Sequence, residues 1–222
     1  MVGLEIERKY LHADTQALQH ALRENNAVCL GRHFESNWVF DTSGELFAKR
    51  HLLRLRRQEW RDRTQHVLTF KMPASNATAF KKREERETAL ADGKAMRAIL
   101  LGLGYTVTAQ YEKIREPWRL GSLEVDIDIL PFGEIVELEG PEEAIVAAEG
   151  ILGLAHCATT TKTYHELHQD WLRLQGKPAS LSITFAAQER QEWRQKIGLR
   201  HQRYEGENAL DGQGSPVLSI SP

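Results

Sequence analysis

The chain opens with MVGLEIERKYL (residues 1–11), in which charged and apolar residues alternate around the centre. Successive side chains of a β-strand point to opposite faces. Glu5, Glu7 and Lys9 are therefore predicted to share one face, with Leu4 and Ile6 on the other. Taken alone, the segment is typical of a half-exposed strand whose charged face meets water. The later strands change that interpretation.

Five later stretches repeat the pattern: LLRLRRQE (52–59), HVLTFKMP (66–73), QYEKIREPWRL (110–120), SLEVDIDIL (122–130) and GEIVELEG (133–140). Each is short and rich in β-forming residues, and each carries its apolar side chains mainly on one face. The opposite faces carry mainly formal charge, often as neighbouring pairs of one sign: Arg54 and Arg56, Lys71, Lys113 and Arg115, Glu124, Asp126 and Asp128, and Glu137 and Glu139.

Like charges placed side by side on a strand repel one another by roughly 1 kcal/mol or more at close range. Such pairs become reasonable when a ligand of opposite charge lies between them. Paired basic residues suit a polyanion and paired carboxylates suit a divalent cation. The pattern thus indicates a metal–polyphosphate complex inside a curved or closed sheet, with helices covering the apolar outer face. A sheet with one wet face and surface salt bridges is the alternative.

Helical spacing is predicted for ADTQALQHALRENN, DGKAMRAILLGLGY, PEEAIVAAEGILGL, TTKTYHELHQDWLRL and SITFAAQERQEWRQKIGL. KKREERETAL (81–90) has the composition of a helix but no apolar stripe, so its structure is left open. The strand order, with mostly short connections, favours an antiparallel α+β sheet. Residues 176–222 are predicted to form a C-terminal helical extension followed by a tail rich in Gly, Ser and Pro.

Composition excludes several classes of protein. The 222 residues suit one domain with an appendage, and 41% hydrophobic residues are enough for a core. A net charge of −2 argues against binding to nucleic acid or to an anionic membrane surface. Cys29 and Cys157 stand in no metal-ligand spacing and are expected to be buried thiols in a reducing cytosol. With no secretory signal or spanning segment, the protein is expected to be cytoplasmic.

The ordered series of charged motifs resembles the CYTH family, the triphosphate tunnel metalloenzymes. Glu5-x-Glu7-x-Lys9 matches its ExExK motif, and the similarity continues over about residues 1–175. The later matching positions are Arg54 and Arg56, Lys71 of LTFK, Arg83, Glu85 and Glu87, Lys113 and Arg115, Asp126 and Asp128, Gly133, Glu137 and Glu139, and Lys162-Thr163-Tyr164.

The resemblance implies an eight-stranded antiparallel β-barrel with a charged lumen, helices packed outside, and chemistry on a triphosphate that depends on Mg²⁺ or Mn²⁺. It assigns triphosphate binding to Lys9, Arg54, Arg56, Lys71, Arg83, Lys113, Arg115 and Lys162, with Lys9, Arg56 and Lys71 as catalytic candidates. It assigns metal binding to Glu5, Glu7, Glu137 and Glu139, with Asp126 or Asp128. For Glu85 and Glu87 two roles are left open: they orient the basic residues, or they contact the metal.

The expected activity is hydrolysis of tripolyphosphate or of an organic triphosphate by a triphosphatase. Conversion of ATP to cyclic AMP and pyrophosphate by a class IV adenylate cyclase is the alternative, and Trp38 or Trp118 near a tunnel mouth could then contact the base. A polyphosphate- or nucleotide-binding module without turnover is a further alternative, which the paired carboxylates disfavour. The partner is a small triphosphate molecule, and a homodimer is left open.

Overall fold

The computed structural model describes residues 2–74 and 79–199. Within these ranges the strands are β1 Val2–Leu11, β2 Val28–Cys29, β3 His33–Asp41, β4 Leu52–Glu59, β5 Thr64–Pro73, β6 Lys81–Leu90, β7 Thr106–Leu120, β8 Leu123–Leu130, β9 Gly133–Glu139, β10 Ala158–Thr160 and β11 Ser182–Ile183. The helices are α1 Thr15–Glu24, α2 Glu45–Ala48, α3 Gly93–Gly102, α4 Glu142–Ile151, α5 Tyr164–Leu174 and α6 Ala187–Ile197.

Eight of the strands close into an antiparallel barrel in the order β1-β6-β5-β4-β3-β7-β8-β9, and β9 returns to β1. The first strand makes the closure, because its first half pairs with β6 and its second half with β9. Glu5 lies opposite Arg83 on one side, and Glu7 lies opposite Glu139 on the other. The predicted eight-stranded antiparallel α+β barrel with outer helices is confirmed.

Most of the hydrophobic core lies outside the barrel wall, although one smaller cluster includes Tyr111, Leu130 and Ile135 from the inward faces of the strands. Val125, Ile127, Val136 and Leu138 point outward from β8 and β9 and pack against apolar side chains of α1 and α4. Burying one such side chain contributes roughly 1.5–3 kcal/mol. Ile6 packs against this cluster, whereas Leu4 is 58% exposed, so the expectation that helices cover both residues is wrong for Leu4.

KKREERETAL, which was left open, forms the strand β6 between β1 and β5. Pairing with both neighbours satisfies its backbone and outweighs its helix-forming composition. The five predicted helical stretches contain α1, α3, α4, α5 and α6; in the last of them, however, residues 182–183 form β11 before the helix starts at Ala187. The predicted tail from residue 200 lies outside the described residues.

The C-terminal extension packs on the outer face of the barrel through a small apolar cluster. Phe185 and Ile197 contact Phe34 and Ile114, which point outward from β3 and β7. Two buried carboxylates reinforce the contact: Glu112 accepts hydrogen bonds from the Phe185 amide (3.1 Å) and Arg190 (2.9 Å), and Glu59 accepts from Arg194 (2.8 Å). Residues 176–199 therefore belong structurally with the barrel.

The two cysteines differ in their exposure to solvent. Cys29 is exposed, which corrects the expectation of a buried thiol: it lies in the short strand β2, which pairs only with β7. Cys157 is partly buried.

None of the helices in the described ranges has the length and apolar character needed to cross a bilayer.

The ion pair between Glu112 and Arg190 is expected to stabilise the docked extension. Arg190→Ala removes one of the two partners of a buried carboxylate, so the free energy of unfolding should fall by about 2–3 kcal/mol in urea titrations. Gln188→Ala is the matched control on the same helix, because Gln188 is exposed and bonds only to Glu192. Equal unfolding midpoints for the two variants would contradict the docking role.

Candidate active site in the charged tunnel

The inward faces of the eight barrel strands carry charged side chains that contact one another across the lumen. These residues are Glu5, Glu7 and Lys9 of β1, Glu35 of β3, Arg54 and Arg56 of β4, Lys71 of β5, Glu85 and Glu87 of β6, Lys113 and Arg115 of β7, Asp126 and Asp128 of β8, and Glu137 and Glu139 of β9. The tunnel thus brings together most of the residues predicted to form the site.

Lys9 bridges the two strands that close the barrel. Its ammonium, only 2% exposed, contacts Glu7 and lies 2.7 Å from Glu137. Burial acts to lower the pKa of Lys9, but the two carboxylates outweigh it and hold that pKa above its ordinary value. Burial acts to raise the pKa of Glu7, and Lys9 with Lys81 lowers it to about 2. Lys81, 2.7 Å from Glu7, is a lumen cation that the sequence interpretation missed.

Arg115 and Asp128 form the centre of a second network. Arg115 donates to Asp128 at 2.7 and 2.6 Å and to Glu137 at 2.6 Å, and it also contacts Asp126. Asp128 accepts a further bond from Lys113 at 3.0 Å.

A tyrosine that was not assigned a role completes this second network. The hydroxyl of Tyr164 donates to Asp128, and its ring lies 5.3 Å from the Lys9 ammonium and 5.1 Å from the Lys113 ammonium. Tyr164 is the first residue of α5, where a capping box formed by Thr163 and Glu166 fixes the start of the helix. Tyr164 lies on a helix outside the barrel and not on a strand. Strand alternation in the sequence therefore could not show that its side chain reaches the lumen.

A third part of the lumen is crowded with carboxylates. Lys71 lies 2.6 Å from Glu5 and 3.2 Å from Glu85, and it is the only cation paired with either carboxylate among the described residues. Burial and the Glu5 carboxylate raise the pKa of Glu139 to about 8. Burial, opposed by Lys71 but aided by Glu5, raises the pKa of Glu85 to about 7. This region therefore has more negative charge than its cation can offset.

The remaining basic side chains are held in fixed positions. Arg54 donates to the Tyr111 hydroxyl at 2.9 Å and to Thr69 at 3.2 Å, and lies 3.5 Å from Glu87. Arg56 donates to Asn37 at 3.2 Å. The contacts of Glu85 with Lys71 and of Glu87 with Arg54 favour the orienting role for these two glutamates.

Three polar residues of β3 line the lumen without having been predicted: His33, Glu35 and Asn37. In ESNWVF (35–40), Trp38 and Phe40 alternate with neighbouring positions, and this strand-like alternation is the signal that could have found Glu35 and Asn37. Their side chains were missed because neither is paired with a like charge two residues away.

Two predicted triphosphate-binding residues stand apart from the central set. Lys162 is half exposed and pairs with Asp170 on α5, so the structure does not bring it into the lumen network. Arg83 lies opposite Glu5 in the sheet and donates to the Arg50 carbonyl at 3.0 Å. Lys162 precedes α5 and does not lie on a barrel strand. Strand alternation therefore does not predict the direction in which its side chain points.

The carboxylates of the tunnel have the hard oxygen donors that Mg²⁺ and Mn²⁺ prefer. Glu139 forms no hydrogen bond or ion pair with any described residue, and the buried Oδ1 of Asp126 has no hydrogen-bond partner there either. No three potential ligands within the described ranges are already grouped around a metal position. The donor set therefore fits a divalent cation in its chemistry, without a preassembled geometry.

A closed β-barrel with a charged lumen and apolar clusters packed outside its wall defines a tunnel-type β-barrel protein. The sequence profile of the CYTH domain matches residues 3–166. The chain therefore belongs to the CYTH family.

Solved structures share this fold at low sequence identity. PH1012 from Pyrococcus horikoshii OT3 is 19% identical with a TM-score of 0.62, and the match covers 73% of this chain and 98% of that one. A candidate adenylate cyclase from Vibrio parahaemolyticus is 21% identical with a TM-score of 0.60, covering 74% and 97%. HpAC1 from Hippeastrum is 18% identical with a TM-score of 0.57, covering 82% and 99%. No curated protein matches the chain.

The crowding around Glu139 predicts a pH-dependent stability that a divalent cation should relieve. The pKa of Glu139 in the folded metal-free protein is raised to about 8 from 4.5. The folded protein therefore favours protonated Glu139, and this stabilising contribution is fully present below pH 4.5 and is lost as the pH rises through 8. Glu139→Gln should flatten this part of the profile of melting temperature against pH in EDTA. Mn²⁺ should stabilise the wild type more than the variant at pH 8; equal shifts would contradict a role of Glu139 in holding the cation.

Proposed function

We propose that this protein hydrolyses a triphosphate, inorganic tripolyphosphate or an organic triphosphate, with the help of Mg²⁺ or Mn²⁺. The observation that carries the proposal is the juxtaposition in one tunnel of buried cations with carboxylates that lack a cation partner. The cations, Lys9, Arg54, Arg56, Lys71, Lys113 and Arg115, suit a chain of phosphates. The unpartnered Glu139 beside Glu5 suits a metal ion.

The basic side chains are assigned to the phosphate groups. In the ligand-free protein Lys9 and Arg115 are each shared between carboxylates of different strands. Phosphate oxygens would replace part of that pairing, which keeps the cations neutralised in both states. Lys9, Arg56 and Lys71 would stabilise the charge that develops on the leaving group. Pre-ordered cations in a water-poor tunnel are more effective for this than cations in water.

Glu5, Glu7, Glu137, Glu139 and one aspartate are assigned to the metal. A bound divalent cation supplies charge neutralisation at the phosphate oxygens. Asp126 is the better candidate of the two aspartates, since one of its oxygens has no partner among the described residues. Asp128 is already occupied by Lys113, Arg115 and Tyr164. We therefore assign Asp128 to positioning the basic residues.

Hydrolysis fits the tunnel better than cyclisation of ATP. Trp38 and Trp118, considered above as base contacts, point away from the lumen and are buried in the apolar clusters outside the wall. The rings of the lumen aromatics already contact protein groups: Tyr111 packs against Tyr164 and His165, and the ammoniums of Lys9 and Lys113 lie over the Tyr164 ring. HpAC1 from Hippeastrum, one of the structures with this fold, has a dominant triphosphatase activity.

A substrate panel tests the activity. Tripolyphosphate, ATP and thiamine triphosphate are incubated with Mg²⁺ or Mn²⁺, and phosphate, pyrophosphate and cyclic AMP are measured separately. We expect phosphate release that EDTA abolishes, and no cyclic AMP. Glu7→Ala should lower kcat/KM by at least about tenfold, the lower end for a disturbed metal site. Cyclic AMP as the main product would make the protein a cyclase, and binding without any turnover would make it a binding module.

The two aspartates should respond differently to the same substitution. Asp126→Asn should weaken Mn²⁺ binding by on the order of 10-fold to 100-fold in calorimetry, since it removes a ligand. Asp128→Asn should leave Mn²⁺ affinity nearly unchanged and weaken tripolyphosphate binding, because Lys113 and Arg115 lose their shared acceptor. The opposite pattern would assign the metal to Asp128.

A further inference from the structure

Three buried polar side chains in the inward row of β3 each have an atom without a hydrogen-bond partner in the part of the chain that the structure describes. His33, Glu35 and Asn37 are 2%, 0% and 1% exposed. Each leaves one polar atom without a hydrogen-bond partner among the described residues: Nδ1 of His33, Oε2 of Glu35 and Nδ2 of Asn37. An unsatisfied buried polar group costs about 1–3 kcal/mol, so three on one strand call for an explanation. None of them is needed by the assignments made above.

Glu35 is the centre of this row. Its Oε1 accepts a hydrogen bond from Gln58 at 3.0 Å and lies 2.9 Å from Nε2 of His33. Burial acts to raise the pKa of Glu35, but Arg56 and Lys113 outweigh it and hold that pKa well below the ordinary value. Glu35 is therefore ionised at neutral pH, and both of its oxygens can only accept hydrogen bonds.

The second oxygen of Glu35 faces the cationic wall. Oε2 lies 3.6 Å from Nζ of Lys113, and Oε1 lies 3.6 Å from Arg56, both beyond direct hydrogen-bond distance. Polar contacts of this length are the ones that a water molecule commonly bridges. A phosphate oxygen cannot take this place, because two acceptors with negative charge repel each other. The group that fits Oε2 is a hydrogen-bond donor such as water.

We infer that Glu35 seats the attacking water, through Oε2, beside the phosphate group that Arg56 and Lys113 bind. The inference rests on the proposed hydrolysis and names the residue that orients its nucleophile. In phosphoryl transfer, positioning of the nucleophile together with charge stabilisation provides most of the catalysis. A fixed, buried carboxylate held by His33 and Gln58 meets that requirement.

The step balances without a further reactant. A lone pair of the water oxygen forms the new P–O bond to the terminal phosphorus as the bridging P–O bond breaks. The electron pair of the broken bond stays on the departing pyrophosphate, next to the basic side chains. Glu35 accepts a hydrogen bond from the water throughout the step, and the proton that the water loses passes to a non-bridging oxygen of the phosphate product, because a carboxylate held ionised by Arg56 and Lys113 is too weak a base to keep it.

Two substitutions at one position separate this role from charge neutralisation. Glu35→Gln keeps the shape and removes the charged acceptor that holds the water, and kcat for tripolyphosphate should fall by on the order of 10²-fold. KM should stay equal or decrease, since a negative charge next to the phosphates is removed. Glu35→Asp keeps the charge but moves the carboxylate away from the water by the length of one methylene group. Because the water is then misplaced, kcat should still fall by on the order of 10²-fold.

Glu112→Gln is the matched control, a buried glutamate that faces out of the barrel from β7 and contacts Arg190. It should lower stability and leave kcat of the folded protein close to wild type. A normal kcat in Glu35→Asp, or a raised KM with normal kcat in Glu35→Gln, would overturn the inference, because Glu35 would then only balance Arg56 and Lys113. A wild-type protein with no turnover of any triphosphate would overturn the proposed function, and the inference with it.

Discussion

The bridge that Lys9 makes between Glu7 and Glu137 is the interaction on which the rest of the structure depends. Glu7 and Lys9 lie on the first strand and Glu137 on the last strand of the barrel, so this ion pair lies at the seam where the sheet closes. An isolated charge moved from water into a protein interior carries a penalty of several kcal/mol. The seam is stable because Lys9 gives the buried carboxylates of Glu7 and Glu137 a shared partner.

The same constraint explains the shape of the remaining lumen. Arg115 is shared between Asp126, Asp128 and Glu137, and Arg54 is held by Tyr111 and Thr69. Such networks fix the directions of the side chains before any ligand arrives, which lowers the cost of ordering them on binding. Pairing among the described residues is incomplete at Glu139 and at Oε2 of Glu35, and these are the positions to which we assign the proposed cation and water. The functional assignments therefore follow from the gaps in the network.

Because charged side chains fill much of the lumen, most of the apolar side chains pack outside the barrel wall. Charges occupy the space that apolar side chains fill in most small barrels. The free energy of burying apolar surface comes instead from the layer between the barrel and its helices, where Val125, Leu138 and their neighbours pack. The extension contributes to this layer through Phe185 and Ile197.

Strand alternation in the sequence was enough to predict the charged lumen, because the two-residue periodicity of a strand directly assigns each side chain to a face. It identified most residues that contact one another in the tunnel, from Glu5 to Glu139. It did not identify β6, whose charges fit a helix equally well until β1 and β5 supply backbone partners. It also missed Lys81 and Tyr164, since nothing in their local pattern says what lies across the lumen.

By itself the sequence determined the alternating charged strands, the outward apolar face and the family. Only the tertiary structure decided which charges are neutralised. Asp126 and Asp128 are equivalent on one strand, yet Asp128 is occupied by Lys113, Arg115 and Tyr164 from β7 and α5. Lys162 was grouped with the phosphate-binding residues, yet it pairs with Asp170. Pairing depends on distances between side chains far apart in the chain, and those distances exist only once the barrel has closed.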